Sequence, residues 1–144
     1  MLKIILFAPG ILLTFMQAAN ADIANLFLVT YGSKTEVTSC DLREAKGAAI
    51  NEKKPRIYKG QSYGNSCSVK IAKSEFKKEY SFCYLSGVTV TGVGKTKSYS
   101  CNVGEVKGTW SFEGYIFNEK VSHESPHTPR TLICKYICMN KHDL

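Results

Sequence analysis

The sequence predicts a small, single-domain all-β protein, an antiparallel sandwich or barrel of about six to eight strands stabilised by disulfides. Three observations support this prediction. In residues 83–117, apolar and polar side chains alternate in three runs, and glycine-containing segments separate the runs. β-Branched and aromatic residues dominate the runs, and no helical period competes with the alternation. The chain also has six cysteines, an even number that is typical of a disulfide framework in exported proteins.

The first 21 residues have the pattern of a secretory signal that is removed on export. Lys3 supplies the positive start, residues 4–16 are mostly apolar, and Ala19-Asn20-Ala21 is a small-x-small cleavage site. A membrane anchor is the alternative, but the apolar run is short for a bilayer and Pro9-Gly10 interrupts it. We therefore expect a secreted or periplasmic protein whose one domain comprises residues 22–144, without a transmembrane segment.

The three central runs predict strands at residues 84–90, 97–103 and 109–117, joined as an antiparallel meander. Both connecting segments contain glycines, which reach the positive φ of tight hairpin turns without a Cβ penalty. The alternation directs Trp110 and Phe112 into the core. On the first of these strands, strict alternation predicts one face that carries Tyr84, Ser86, Val88 and Val90.

The rest of the chain adds strands on both sides of this meander. The same alternation predicts strands at residues 24–31, 35–42, 67–72 and 131–139. Residues 43–61 are small or charged and are the least regular part, with a short helix over residues 42–50, capped by Asp41, as an alternative. Residues 62–66 and the proline-containing residues 118–130 are typical of loops.

The last predicted strand restricts the disulfide connectivity. Cys134 and Cys138 are four residues apart, so at about 3.3 Å per residue they lie too far apart on a strand to bridge each other. Twelve pairings remain, and among them we expect Cys134 and Cys138 to bond to Cys83 and Cys101, in either order, and Cys40 to bond to Cys67. A cross-strand bond between Cys83 and Cys101 is the competing arrangement. With every cysteine paired, no thiol remains for metal binding or nucleophilic catalysis.

One segment, from His123 to His127, matches the H-E-x-x-H pattern of zinc metalloproteases. That chemistry needs both histidines on one face of a helix, and Pro126 between them breaks the helix. We interpret the match as accidental and expect no metal or other cofactor. Because no nucleophile elbow, phosphate-binding loop or other catalytic set is present, we expect a protein that is not an enzyme.

Basic and aromatic residues form the candidate binding surface of this basic chain, whose net charge is +7. A solvated sheet edge explains the lysines without a ligand, because lysine prevents edge-to-edge aggregation. The functional interpretation is contact with an anionic partner, such as an acidic glycan. The candidate binding residues are Lys53, Lys54, Arg56, Tyr58, Lys59, Tyr63, Lys77 and Lys78.

These observations favour three functions of different classes. The first is an exported, non-enzymatic binding protein that presents a rigid β-surface to a glycan or protein. The second is an inhibitor or immunity protein that blocks a hydrolase or toxin with residues 56–67 as a wedge. The third is a small secreted hydrolase or toxin subunit. We expect no nucleic-acid partner, since no such binding motif is present. The last four residues, Lys141 to Leu144, match K-D-E-L at only two positions, and we take that match as accidental.

Overall fold

The computed structural model describes residues 22–31, 36–45, 56–76, 80–92, 96–119 and 128–140. Within these ranges the chain is almost entirely β-strand, which confirms the predicted all-β class. One turn of 3-10 helix, Lys73–Glu75, interrupts the strands. The strands are β1 Asp22–Tyr31, β2 Ser39–Ala45, β3 Arg56–Lys59, β4 Gln61–Tyr63, β5 Ser66–Ala72, β6 Tyr80–Thr91, β7 Thr96–Val106, β8 Thr109–Asn118 and β9 Pro129–Asn140.

Two antiparallel sheets enclose the core. The five-stranded sheet has the order β3-β2-β1-β9-β6, and the four-stranded sheet has the order β4-β5-β8-β7. Every second residue of the central strands points inward, as the period of two requires. The inward side chains of β1, β8 and β9 are fully buried, and they include Leu26, Leu28, Phe112, Ile116, Leu132 and Tyr136. The predicted core positions Trp110 and Phe112 are both buried.

The three disulfides belong to the expected set, and the structure decides which C-terminal cysteine bonds to which partner. Cys40–Cys67 joins β2 to β5, and Cys101–Cys134 joins β7 to β9, so both bonds cross between the sheets. Cys83–Cys138 joins the neighbouring strands β6 and β9, where the two residues lie directly opposite each other. The competing bond between Cys83 and Cys101 does not form. The two sheets are therefore tied together covalently at two places.

The predicted meander of three strands is wrong at its first connection. β7 and β8 do form a hairpin, and Lys107 and Gly108 occupy its turn with φ of 49° and 78°. β6, however, pairs with β9 and not with β7, so the chain changes sheets between β6 and β7. β9, which pairs with β6 in place of β7, is distant from β6 in sequence. The alternation of side chains does not identify which of these two strands pairs with β6.

The predicted faces of β6 are also wrong in part. The register shifts between Leu85 and Gly87, which makes Ser86 an extra residue in the strand. Because of this bulge, Leu85 points inward opposite Tyr136, while Tyr84 lies on the outer face opposite Ile137. The Ser86 hydroxyl donates to the Lys135 carbonyl at 3.0 Å and thereby compensates for the interrupted ladder.

Residues 42–45 form the end of β2, so the alternative helix over residues 42–50 is wrong for this part, and residues 46–50 lie outside the described ranges. Residues 56–59 and 61–63, predicted as irregular, are the short edge strands β3 and β4. They pair with β2 and β5, respectively. These added strands bring the count among the described residues to nine. Both strands depend on pairing with distant residues more than on their own composition.

The predicted signal (1–21), the H-E-x-x-H segment (123–127) and the C-terminal residues (141–144) lie outside the described residues, and those interpretations stay predictions. Within the ranges that the structure describes, no helix has the length and apolar character that a membrane span requires.

Candidate functional site

A shallow groove lies on the outer face of the four-stranded sheet. Its volume is about 370 Å³. Strand register builds it, because residues opposite each other on neighbouring strands point to the same face. Two rows of side chains cross the sheet in this way. The first row is Tyr63, Ser66, Tyr115 and Ser100, and the second is Gln61, Ser68, Glu113 and Asn102.

The chemistry of the groove is polar with aromatic sides. Tyr63, of which 64% is exposed, and the half-buried Tyr115 supply the rings. Hydroxyl and amide groups lie between and beside them, and Lys70 and Glu113 bring one charge of each sign. Such a surface offers flat apolar faces together with hydrogen-bond donors and acceptors.

Ser68 is the residue in this groove whose hydrogen bonding is incomplete. Its hydroxyl oxygen is buried, and it has no hydrogen-bond partner among the described residues. A buried polar atom without a partner costs about 1–3 kcal/mol.

Internal hydrogen bonds hold the polar side chains of the groove in place. The Tyr63 hydroxyl donates to Oε1 of Gln61, two residues earlier on the same face of β4. The Ser111 hydroxyl donates to Oε1 of Glu113 at 3.0 Å. Since these side chains are already oriented, ligand binding orders fewer of them and loses less entropy.

The two inter-sheet disulfides lie directly behind the groove. Gly114 of β8 is opposite Cys67 on one side and Cys101 on the other, and all three residues point inward. Gly114 packs against the side chain of Leu28 on β1, so closely that a Cβ atom there would lie 2.6 Å from Leu28 Cδ1. The groove therefore has a floor that is bonded covalently on both sides and packed tightly in the middle.

Tyr136, on the five-stranded sheet, forms hydrogen bonds to the backbone of the same region. Its hydroxyl lies 3.0 Å from the Asn102 carbonyl and 3.2 Å from the Glu113 carbonyl, and it donates its one proton to this pair. Burial raises the pKa of the Tyr136 phenol above its usual value of 10.0, and the negative charge of Glu113 raises it further. At the end of the core, burial likewise raises the pKa of Tyr80, whose hydroxyl contacts carboxylate oxygens of Glu44 and Asp22.

The free energy of unfolding is expected to fall as the pH rises above 10. Tyr80 and Tyr136 stay protonated in the folded protein but ionise near their usual pKa of 10.0 in the unfolded chain. Their raised pKa values therefore contribute stability that is complete below pH 10 and is lost as the pH rises toward the folded-state values. In this range the free energy of unfolding falls by about 1.4 kcal/mol per pH unit for each tyrosine. Urea unfolding between about pH 9 and pH 11 measures it.

Tyr136→Phe is expected to make this slope shallower by the share of one tyrosine, and Tyr80→Phe/Tyr136→Phe by the share of two. If stability fell with pH as steeply in Tyr136→Phe as in the unmodified protein, Tyr136 would not be a source of the pH dependence.

The predicted binding residues do not lie together in the structure. Lys53, Lys54, Lys77 and Lys78 lie outside the described residues, so their role stays a prediction. Tyr63 lies in the groove. The other three, Arg56, Tyr58 and Lys59, lie on β3 at the edge of the five-stranded sheet.

These three β3 residues have partners within the chain. Lys59 Nζ forms an ion pair with the carboxylate of Asp41 at 2.8 Å, and the Tyr58 hydroxyl donates to Glu44 Oε2 at 3.2 Å. Arg56 donates to the Glu75 carbonyl at 2.9 Å, and its guanidinium lies 5.7 Å from the centre of the Tyr58 ring. Burial raises the pKa of Tyr58, and the charge of Glu44 adds to the effect. A ligand at this edge would therefore compete with internal contacts.

Several groove residues were missing from the predicted binding set. They are Ser66, Ser68, Lys70, Ser100, Asn102, Glu113 and Tyr115. All but Ser66, which was predicted to lie in a loop, occupy outward positions of predicted strands, which was visible in the alternation. What the alternation does not contain is the register that brings β5, β7 and β8 side by side.

No cluster of three or more histidine, cysteine or acidic side chains suited to a metal ion occurs in the described ranges. The fold and the groove define a class, a small disulfide-stabilised all-β protein with a rigid polar and aromatic groove on one sheet. No protein-family model, curated protein or solved structure matches this chain.

Proposed function

We propose that this protein is a non-enzymatic binding protein that holds a glycan in the groove of its four-stranded sheet. The observation that carries the proposal is the groove itself, in which Tyr63 and Tyr115 accompany hydroxyl and amide side chains. Sugar rings have apolar faces that stack on aromatic rings, and their hydroxyl groups need hydrogen-bond partners of both kinds. The groove supplies both features in one place.

The size and the stiffness of the groove also support glycan binding. Its volume of about 370 Å³ is near the lower end of the range of about 300–1,000 Å³ that is common for small-molecule sites. A short part of a glycan fits this volume better than a folded protein surface does. Because disulfides and Gly114 fix the floor, the groove is organised before the ligand arrives.

The charges favour binding over hydrolysis. Glycosidases use two carboxyl groups on either side of the bond that they cleave. Among the described residues that line the groove, Glu113 is the single carboxylate. Lys70, on the same face, is suited to an acidic group of the glycan.

The three disulfides support a location outside the reducing cytoplasm, where such bonds persist. A secreted or periplasmic protein with an exposed glycan site is consistent with this chemistry. The residues proposed as an inhibitory wedge, 56–67, form two short strands and the turn into β5, and each strand is paired within the protein. They do not project as a loop, which favours the glycan proposal over an inhibitory wedge.

A glycan array that contains neutral and acidic sugars tests the proposal with the purified protein. For the glycan bound best, Tyr115→Ala and Asn102→Ala are each expected to weaken binding about tenfold, because they remove a stacking face and a hydrogen-bonding amide. Tyr84→Ala is the matched control, since this exposed tyrosine lies on the outer face of the other sheet. Silence across the array, or equal binding by Tyr115→Ala and the unmodified protein, would reject the proposal.

A further inference from the structure

The outer face of the five-stranded sheet carries apolar side chains at positions that are usually polar in a solvent-exposed antiparallel sheet. Strand register places these side chains in rows across the sheet. One row contains Ile23, Ile137 and Tyr84, and a second row contains Phe27 and Ile133. Ile23 and Tyr84 are 39% and 44% exposed, and the other three are half-buried. Two rows of apolar side chains are therefore accessible on this face.

A row with two basic residues lies between these apolar rows. Its members Arg43, Asn25 and Lys135 are register partners on β2, β1 and β9. The other charged residues that point outward from the described strands of this sheet are Lys59 and Asp41. Three positive charges and one negative charge give this face a net charge of +2.

The Asp41 carboxylate is shared by two of the three basic side chains. Lys59 Nζ lies 2.8 Å from it, and the Arg43 guanidinium lies 3.9 Å from it. The Arg43 guanidinium also lies over the Phe27 ring, 4.5 Å from its centre. Lys135 is exposed and forms no ion pair within the described part of the chain. Positive charge is therefore presented between apolar groups and is available to a partner.

The size of this surface suits a short segment of chain. Five strands at a spacing of about 4.8 Å span about 19 Å, and the three rows span about 14 Å along the strands. The resulting area of roughly 270 Å² is near the size, about 300 Å² and above, of apolar patches that mark interaction sites. It is about one third of the roughly 800 Å² that each partner buries in a standard protein interface. A peptide segment fits this area better than a second folded domain does.

We propose that this face binds a segment of a different protein whose acidic residues contact Arg43 and Lys135 and whose apolar residues cover the two flanking rows. Charge complementarity carries the choice of partner. A segment that lies across the three rows removes the basic row from water, and desolvated charges need opposite charges close to them. Because β1 separates β2 from β9, the two carboxylates that fit lie about 10 Å apart.

Two other occupants match this face less well. A second copy of this chain would bring a face of the same +2 charge against the first, and like charges across an interface repel. An anionic membrane takes up basic side chains at the level of its headgroups, around the apolar groups that insert. Here the basic row lies between two apolar rows, so insertion of both rows would carry Lys135 below the headgroups.

The test selects binders from a library of random twelve-residue peptides, displayed on phage, against the intact, oxidised protein. We expect the enriched peptides to combine aspartate or glutamate with apolar residues. The peptide that binds best is then titrated with the protein and its variants, and fluorescence anisotropy measures its affinity. Lys135→Glu is expected to weaken binding at least tenfold, and Tyr84→Ala about fivefold. Exchanging the acidic residues of the peptide for lysine is expected to reverse the preference between Lys135→Glu and the unmodified protein.

Lys107→Glu is the matched control, since it makes the same charge change in the turn between β7 and β8 of the other sheet. It is expected to leave peptide binding unchanged, as is Tyr115→Ala in the groove. Enriched peptides without an excess of acidic residues, no enrichment at all, or equal binding by Lys135→Glu would overturn the proposal. So would dimerisation of the protein that Lys135→Glu alters, or binding to phosphatidylglycerol vesicles that Tyr84→Ala weakens. These two results would identify a second copy and a membrane, respectively, as the occupant.

Discussion

Replacing both Cys101 and Cys134 by alanine is expected to lower the free energy of unfolding by about 3–4 kcal/mol. The bond closes a loop with a sequence separation of 33, and opening it increases the conformational freedom of the unfolded chain. Cys134 is fully buried, so the substitution also removes packed atoms from the core. Urea unfolding of the double variant at neutral pH measures the loss.

The expected effect of this variant extends to the groove. Without the bond, β7 is no longer fastened to β9, and the amides of Ser100 and Asn102 are expected to exchange faster with solvent. Cys83→Ala/Cys138→Ala is the matched control. It removes a bond with a sequence separation of 55, so the loss of stability is similar, but that bond lies within the five-stranded sheet. Equal exchange at the groove in both double variants would show that the inter-sheet bond does not fix its floor.

Gly114→Ala is expected to destabilise the protein by about 1–3 kcal/mol, which is a large effect for a single methyl group. The added Cβ atom would lie 2.6 Å from Leu28 Cδ1 and 3.1 Å from Leu28 Cδ2, well inside normal contact. Leu28 is fully buried and has little room to move. β8 must therefore shift outward between the two strands that hold Cys67 and Cys101.

The matched control for this substitution is Gly104→Ala, on the neighbouring strand β7. A Cβ atom at Gly104 meets nothing within 4 Å, and this glycine is not among those with positive φ. The control is expected to change stability by less than about 0.5 kcal/mol. If Gly114→Ala unfolds at the same urea concentration as the control, the close packing behind the groove does not contribute to stability.

These two predictions concern the same device, the close contact between the two sheets. Two disulfides, Cys40–Cys67 and Cys101–Cys134, and the close packing at Gly114 hold the sheets together. The same device orients the groove on the outer face of the four-stranded sheet.

Much of the fold was predictable because its signals are local. Alternation identified the regions of β1, β5, β6, β7, β8 and β9, and it directed Trp110 and Phe112 into the core. The spacing of Cys134 and Cys138 excluded a bond between them, and the observed bonds agree with that exclusion, but the pairing itself was not determined by the spacing. In each case the information lies in residues a few positions apart, where strand geometry alone sets the direction of a side chain.

The binding site was predicted less well because it depends on which strands are neighbours. Tyr63 was chosen for its aromatic ring, and it does line the groove. Arg56 and Lys59 were chosen for their charge, but Arg56 donates to the backbone carbonyl of Glu75, and Lys59 forms an ion pair with Asp41. An ion pair within the chain and a lysine free for a ligand look the same in a sequence.

By itself, the sequence determined the strand class, the alternation of buried and exposed positions, and the exclusion of a bond between Cys134 and Cys138. Only the tertiary structure decided that β6 leaves the meander to pair with β9, that a bulge at Ser86 turns Leu85 inward, and that Tyr63, Ser68 and Tyr115 share one groove. The physical reason is the range of the interactions. A strand's own residues dictate its alternation, whereas its register and its neighbours follow from competition among distant edges with similar backbone chemistry.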